Sequence, residues 1–71
     1  MVDMEKLKLI QDLFEANDEI PPDMDLESSE YWDSITKLAL IVMFEEKFDI
    51  ILDNDAINNL CKVSDIMELM N

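Results

Sequence analysis

The sequence WDSITKLALIVMFEEKFDI, residues 32–50, decides the fold because it contains the strongest helical pattern in the chain. Ser34–Phe48 contains neither glycine nor proline, and Asp33 or Ser34 can supply the side chain that caps the first turn. Seven consecutive apolar residues, 38–44, make the middle of this run apolar almost all round. We therefore predict a helix over Ser34–Phe48.

Two apolar stripes run along this predicted helix when its residues are placed about 100° apart. The stripe expected to face the core comprises Leu40, Ile41, Phe44 and Phe48. The second stripe shares its side of the helix with Ser34 and comprises Ile35, Leu38 and Val42, with Glu45 and Glu46 at its rim. Helical geometry alone leaves two interpretations of the second stripe open, a docking surface or a second core face.

The segments on either side predict three more helices. Residues 2–16 form an amphipathic pattern whose apolar residues share one face, namely Met4, Leu7, Ile10, Leu13 and Phe14. Asn54–Leu60 predicts a short helix, and Val63 begins a last one, for which Ser64 can supply the cap.

A long segment without periodicity, residues 18–33, separates the first two helices. Pro21 and Pro22 prevent the first helix from continuing, and Leu26, Tyr31 and Trp32 are expected to anchor the loop. We predict an all-α chain, a small four-helix bundle of three main helices and one short helix with a long loop between the first two. A single domain is predicted over residues 1–71.

The charge balance restricts the partners. The chain has 18 Asp and Glu residues against five Lys, no His, and a net charge of −13. Repulsion from phosphates argues against nucleic acid and anionic membrane surfaces, whereas partners with basic patches are favoured. The first residues do not resemble a signal peptide, and no apolar run approaches the roughly 20 residues needed to span a bilayer. A cytoplasmic protein without membrane insertion is predicted.

No set of residues suggests catalysis. The commonest general base, His, is missing, and Cys61, the only cysteine, is expected to be a small buried core residue. Two acidic stretches superficially resemble calcium loops, but Ser28 and Asn58 stand where such loops require glycine. This excludes an EF-hand and leaves weak divalent-ion association open. We predict that the chain is not an enzyme.

Ser34 is the candidate functional residue. A hydroxyl at a helix start is exposed, and the unpaired N–H groups and positive dipole end there favour an attached phosphate. On an acidic chain without catalytic groups, this placement indicates an attachment point rather than an active site. The alternative of a different class is an unmodified acidic interaction module, such as an inhibitor or a nucleic-acid mimic.

The residues around Ser34 resemble the acyl carrier protein family. The resemblance begins with Trp32-Asp33-Ser34-Ile35 and follows the helix order over roughly residues 1–70. Beyond Ile35 it is carried by 38–41, 44–50, 52–56, Leu60 and 63–66. It is without gaps from Ser34 onward.

The resemblance implies that Ser34 receives 4′-phosphopantetheine from coenzyme A through a phosphopantetheinyl transferase, with Asp33 in support. An acyl group would then be carried as a thioester, as in lipid metabolism and fatty acid biosynthesis. Enzymes that load or transfer acyl or aminoacyl groups would be the partners, and a monomer is expected. The resemblance also favours the docking interpretation of Ile35, Leu38 and Val42.

Several residues depart from the family pattern. Tyr31 replaces a common glycine, and Thr36 and Ala39 replace acidic residues early on the second helix. These departures favour a specialised pathway over ordinary fatty acid synthesis. In the expected interior, larger residues stand where the family commonly has smaller ones, namely Phe44, Ile57 and Ile66. Because extra methylenes consume space in a small core, we expect an aminoacyl or other short cargo.

Overall fold

The structure is a computed structural model that describes residues 2–70. Its four helices are α1 (Asp3–Phe14), α2 (Ser34–Phe48), α3 (Asn54–Asn58) and α4 (Val63–Leu69). Within residues 2–70 no β-strand forms, and Asp25 and Lys62 make an isolated antiparallel bridge. The predicted all-helical class and the count of four helices are confirmed. The predicted proportions are not, because α4 has only 7 residues and so joins α3 as a second short helix.

The boundaries of α2 agree with the prediction, while the other helices are shorter than expected. α1 ends at Phe14 rather than Ala16, and α3 ends at Asn58 rather than Leu60. The predicted domain extends over residues 1–71, of which Met1 and Asn71 lie outside the described residues. The apolar face of α1 buries Ile10 and Phe14 but leaves Met4, in the first turn, 80% exposed.

The two long helices end in left-handed residues although the chain contains no glycine. Glu15 follows α1 with φ of 56°, and Asp49 follows α2 with φ of 57°. At the end of α1 the N–H of Glu15 donates to the carbonyl of Asp12 and that of Ala16 to Gln11. These bonds satisfy carbonyls that the helix end would leave unpaired, at the cost of placing a side chain in a disfavoured backbone region.

Replacement of Glu15 by glycine is therefore expected to stabilise the protein, by about 0.5–1 kcal/mol. Glycine adopts the left-handed conformation without the clash of a Cβ atom, although the unfolded chain gains entropy. Urea denaturation measures the free energy of unfolding. The control is Glu15→Ala, which removes the same charge but retains Cβ. Equal stabilisation by both substitutions would show that charge, rather than backbone strain, is relieved.

The long loop between α1 and α2 completes the N-terminus of α4. The carbonyl of Met24 accepts from the N–H of Val63 at 3.1 Å, and the carbonyl of Pro22 accepts from that of Ser64 at 2.8 Å. In the opposite direction, the N–H of Leu26 donates to the carbonyl of Cys61 at 2.8 Å. Backbone groups of the loop thus pair with N–H groups that a helix start leaves without partners.

The prediction that Ser64 caps α4 is wrong. Lys62 occupies the cap position, and the carboxylate of Asp65 accepts from the N–H groups of Lys62 and Cys61 at 3.0 and 2.9 Å. These hydrogen bonds, that from Lys62 foremost, lower the pKa of the Asp65 carboxyl. The sequence pattern suggested serine because it is a preferred cap residue, but a carboxylate three residues into the helix reaches back to the same groups.

The core lies between α1, α2 and α4 and extends under the loop. Its largest fully buried side chains are Phe44, Ile10, Leu26, Leu40, Ile66, Met70 and Val63. The expected burial of the first α2 stripe is correct for Leu40 and Phe44, while Ile41 and Phe48 are half-buried against the core. Cys61 is exposed, which corrects the prediction that it is a core residue. It lies in the link between α3 and α4, where its N–H donates to the Asp65 carboxylate and its thiol donates to the carbonyl of Asn59 at 3.8 Å.

Aromatic packing anchors the loop immediately before α2. The rings of Phe14 and Tyr31 stack with centroids 5.5 Å apart, and the Trp32 ring lies 6.4 Å from that of Phe14 at an angle of 58°. Leu26 is fully buried. The predicted anchoring by Leu26, Tyr31 and Trp32 is therefore confirmed, and it fixes the path by which the chain enters α2.

Candidate functional site

Ser34 is the first residue of α2, and its side chain is exposed. Asp33 is the N-cap: its carboxylate oxygen Oδ1 accepts from the N–H of Thr36 at 2.8 Å. The backbone carbonyl of Asp33 also accepts from the N–H of Lys37 at 3.0 Å. Of the two residues that the sequence offered as caps, Asp33 takes the role. The hydroxyl of Ser34 is thus not the group that caps α2.

The Asp33 carboxylate places a negative charge on the residue that directly precedes Ser34. The hydrogen bonds from Thr36 lower the pKa of the Asp33 carboxyl, so the group is ionised at neutral pH. A negative group at the cap position is favourable beside the positive end of the helix dipole. Because its folded-state pKa is depressed, this stabilisation exists above the ordinary pKa of aspartate and is lost as pH falls through the lowered value.

Lys37 places a positive charge next to Ser34. Its Nζ lies 5.6 Å from the centroid of the Trp32 ring, within the range of a cation–π interaction. The Trp32 ring is itself packed near Phe14. The start of α2 therefore combines an exposed hydroxyl, a capping carboxylate and a lysine held over an indole.

The three residues of the second α2 stripe are exposed. The exposed fraction is 79% for Ile35, 63% for Leu38 and 45% for Val42. The interpretation of this stripe as a second core face is therefore wrong, since α2 packs against α1 through other residues and buries Leu40, Met43 and Phe44. Large apolar side chains left together on one face of a helix are typical of interaction surfaces.

A shallow groove of about 460 Å³ follows this stripe, and we call it the α2 groove. It runs between two rows of residues spaced four apart. One row comprises Ile35, Ala39, Met43 and Lys47, and the other comprises Leu38, Val42 and Glu46. Side chains four residues apart on a helix form such ridges, with a groove between neighbouring rows.

Of the two glutamates predicted at the rim of the stripe, only one lines the α2 groove. Glu46 lines the α2 groove, whereas Glu45 is exposed but is not part of its lining. Sequence reasoning missed Ala39, Met43 and Lys47, which a count in steps of four from Ile35 would have found. Lys47 beside Glu46 makes that end of the groove mixed in charge rather than purely acidic.

A second depression lies on the other side of Ser34, between α2 and α3, and we call it the Ser34 cleft. Its volume is about 340 Å³. Its polar lining residues are Ser34, Lys37, Asn54 and Asn58, and its apolar ones are Leu38, Ile41 and Ile57. The α3 residues of this cleft were not predicted to belong to the site.

Within residues 2–70, no three His, Cys, Asp or Glu side chains come together as a set of metal ligands. None of the helices in that part of the chain has the length and apolarity needed to cross a membrane. The chain matches no protein-family model, and searches of curated proteins and of solved structures found no significant match.

Proposed function

We propose that the chain is an acyl carrier protein that carries an acyl group as a thioester on 4′-phosphopantetheine attached to Ser34. The observation that supports this most is an exposed hydroxyl at the first position of a 15-residue helix, beside an exposed apolar stripe. We also propose that the four helices form a bundle of the carrier type, and that the protein acts as a cytoplasmic monomer. The resemblance of Trp32–Ile35 and the following residues to the family agrees with this function.

The residues at the start of α2 fit a phosphodiester. The first turn of an α-helix presents N–H groups and the positive end of its dipole, which favour an anion. The Asp33 carboxylate opposes a second negative charge, whereas the ammonium of Lys37, on the same side of α2, compensates it. No large side chain covers the Ser34 hydroxyl, which is exposed to an approaching transferase.

The attachment is a transfer catalysed by the partner enzyme. Ser34 Oγ forms a bond to the pantetheine-bearing phosphorus of coenzyme A, and the bond from that phosphorus to the bridging pyrophosphate oxygen breaks. The leaving group is 3′,5′-ADP, and the serine proton passes to the transferase or to solvent. Once attached, the arm supplies the thiol that forms the thioester. The chain itself positions Ser34 and presents the α2 groove to enzymes that load and accept acyl groups.

Intact mass spectrometry after incubation with coenzyme A and several phosphopantetheinyl transferases tests the proposal. We expect a gain of one phosphopantetheine per chain. No gain with any of the transferases would favour the unmodified acidic interaction module instead.

Charge reversal at Glu46 is expected to slow this modification by roughly tenfold at low salt, because an acidic rim steers a partner with a basic patch. Glu45→Lys should have a smaller effect, since Glu45 lies outside the α2 groove. Initial rates of mass gain at two salt concentrations measure both effects, and the difference should shrink at high salt.

The control for charge reversal is Glu5→Lys on α1, which changes the net charge equally on an element that does not line the groove. If Glu5→Lys slows the reaction as much as Glu46→Lys, overall charge rather than docking at the groove accounts for the effect. Salt-independent rates would also contradict electrostatic docking there.

A short or aminoacyl cargo is the second candidate, and the packing of three large side chains favours it. Phe44 and Ile66 are fully buried, and Ile57 is 4% exposed, so these side chains occupy the interior where a longer chain would need space. The cargo is then expected to remain at the surface. This proposal concerns the cargo and depends on attachment at Ser34.

Loading acyl groups of increasing length is expected to leave the amide chemical shifts around Phe44 and Leu60 unchanged. NMR spectra of the two-carbon to twelve-carbon forms provide the measurement. In contrast, Phe44→Leu removes volume from the interior, and longer chains should then shift these signals. Progressive shifts in the unsubstituted protein would contradict the short-cargo proposal.

A further inference from the structure

We infer that a groove between α1 and the start of the long loop binds a basic amphipathic helix of a partner protein. We call it the α1 groove, and its volume is about 530 Å³. Its lining residues are Met4, Leu7, Lys8, Gln11, Glu19 and Ile20. None of them lines the α2 groove or the Ser34 cleft. The inference therefore goes beyond the proposed function and does not depend on attachment at Ser34.

Apolar side chains line the α1 groove from the core to the surface. Ile20 belongs to the core and is 4% exposed, and Leu7 is half-buried against the same core. Met4 lies three residues before Leu7 on the same side of α1 and is 80% exposed. Most of the Met4 side chain is therefore left for a partner to bury, and its flexible thioether adapts to an irregular surface.

The segment that follows α1 places negative charge beside this groove. The side chain of Gln11, in the lining, donates to the carbonyl of Ala16 at 3.3 Å, which holds this segment next to the groove. Glu15, Asp18 and Glu19 in the segment are all exposed. The last turn of α1 has no basic residue, and the negative end of its helix dipole lies there as well. Charge complementarity therefore selects a cationic occupant.

The α2 groove does not offer a basic helix the same attraction. Within α2, the two lysines Lys37 and Lys47 balance the two glutamates Glu45 and Glu46. Residues 15–33, in contrast, contain eight acidic residues and no lysine. The excess negative charge of the chain thus lies outside α2, and part of it adjoins the α1 groove.

The length of the groove suits about two turns of a partner helix. Met4 and Gln11 are seven residues apart, which is about 10 Å along α1 at a rise of about 1.5 Å per residue. An occupying helix inserts apolar side chains that are spaced three and four residues apart. Its basic side chains then face the acidic segment after α1, while Lys8 repels a cation near the middle of the groove.

Occupation of the α1 groove leaves the start of α2 accessible, because the groove shares no lining residue with the α2 groove or the Ser34 cleft. A partner bound there would hold the chain while Ser34 and the α2 groove meet a second protein. If both proteins belong to one assembly, the second contact becomes intramolecular and is strengthened by its effective concentration.

The test measures binding of a synthetic peptide to the full chain, unmodified and labelled with ¹⁵N. The peptide has about 14 residues, enough to form a helix, with leucines on one helical face and lysines on the other. Isothermal titration calorimetry gives the Kd, and amide chemical shifts locate the peptide. We expect shifts in residues 4–11 and 19–20, whereas residues 35–42 should remain unchanged. Added salt should weaken the binding.

Substitutions at exposed positions test the contacts without disturbing the core. Met4→Gln should raise the Kd about tenfold, because apolar burial is lost. Its matched control, Ile35→Gln, alters an apolar residue that is 79% exposed on α2 and should change the Kd by less than about twofold. Glu19→Lys should raise the Kd about fivefold at low salt, and Glu45→Lys, with an equal change in net charge outside the groove, by less than about twofold.

The results also separate this inference from the carrier proposal, since Ser34→Ala should leave the Kd unchanged. Absence of binding at low salt would overturn the inference. Equal affinity for a peptide of the same composition with its leucines dispersed over all faces would indicate non-specific charge attraction instead. A greater loss for Ile35→Gln than for Met4→Gln would assign the peptide to the α2 groove. Dimerisation of the chain alone through residues 4–11, measured by sedimentation and concentration-dependent shifts, would make a second copy the occupant.

Discussion

Replacement of Ser34 by alanine should abolish the gain of phosphopantetheine completely. Without Oγ the phosphorus has no acceptor at the start of α2, and the exposed position allows the substitution without a change in packing. Alanine favours helix, and the cap hydrogen bond from Thr36 to Asp33 does not involve residue 34. The measurement is the intact mass after exhaustive reaction.

Ser28→Ala is the control for Ser34→Ala. Its hydroxyl is also exposed and donates to the carbonyl and carboxylate of Asp25 at 3.3 and 3.1 Å, within the loop rather than at a helix start. The full mass gain is expected for this variant. If Ser34→Ala still gained phosphopantetheine, attachment would lie at another hydroxyl, and the assignment to Ser34 would be wrong.

Phe44→Ala should destabilise the protein by about 3–5 kcal/mol, the range for an aromatic residue removed from a core. Phe44 is fully buried, and its ring lies 5.2 Å from that of Phe48. A single core in a chain of this size supplies net stability of only about 3–5 kcal/mol, so a substantial unfolded population is expected at 25 °C. Urea denaturation followed by circular dichroism measures the loss.

Two variants bracket this result. Phe44→Leu should cost clearly less because most of the apolar volume remains. Leu38→Ala should change the free energy of unfolding by under about 0.5 kcal/mol, since this side chain is largely exposed. A similar loss for Leu38→Ala and Phe44→Ala would contradict the separation of α2 into a core face and a free face.

The sequence predicted those features of the fold that depend on local patterns. The boundaries of α2 followed from an uninterrupted run without glycine or proline, and Asp33 was one of two residues offered as its cap. Anchoring of the loop by Leu26, Tyr31 and Trp32 followed from their large apolar side chains in a segment without helical periodicity. In each case the determining interaction lies within a few residues or follows from burial of large apolar surface.

Features that depend on contacts between distant segments were not predictable. Ser64 suits a cap by its chemistry, yet the start of α4 is completed by carbonyls of Pro22 and Met24 and by the Asp65 carboxylate. Cys61 is exposed because backbone pairing with Leu26 orients this link, which no local pattern encodes. α1 ends two residues earlier than predicted because Glu15 adopts a left-handed conformation. Residues other than glycine rarely adopt this conformation, so the sequence did not indicate it.

The candidate site likewise has features that local spacing predicts and features that depend on tertiary packing. Ser34 and the stripe of Ile35, Leu38 and Val42 could be placed on one side of a helix from spacing, but their exposure depended on where α1 and the loop pack. The contribution of Asn54 and Asn58 depended on how α3 lies against α2. The sequence of a short polar helix does not indicate which of its residues will face a neighbouring helix.

The pairing of the long loop with α4 links Ser34 to the far end of the chain. An isolated helix of 7 residues is not stable, and α4 relies on carbonyls of Pro22 and Met24 in the segment that leads into α2. Because each segment needs the other, the two should form and unfold together in a single cooperative step. Damage to the last turn of the protein would therefore loosen the approach to Ser34, although no side chain of α4 lines the α2 groove or the Ser34 cleft.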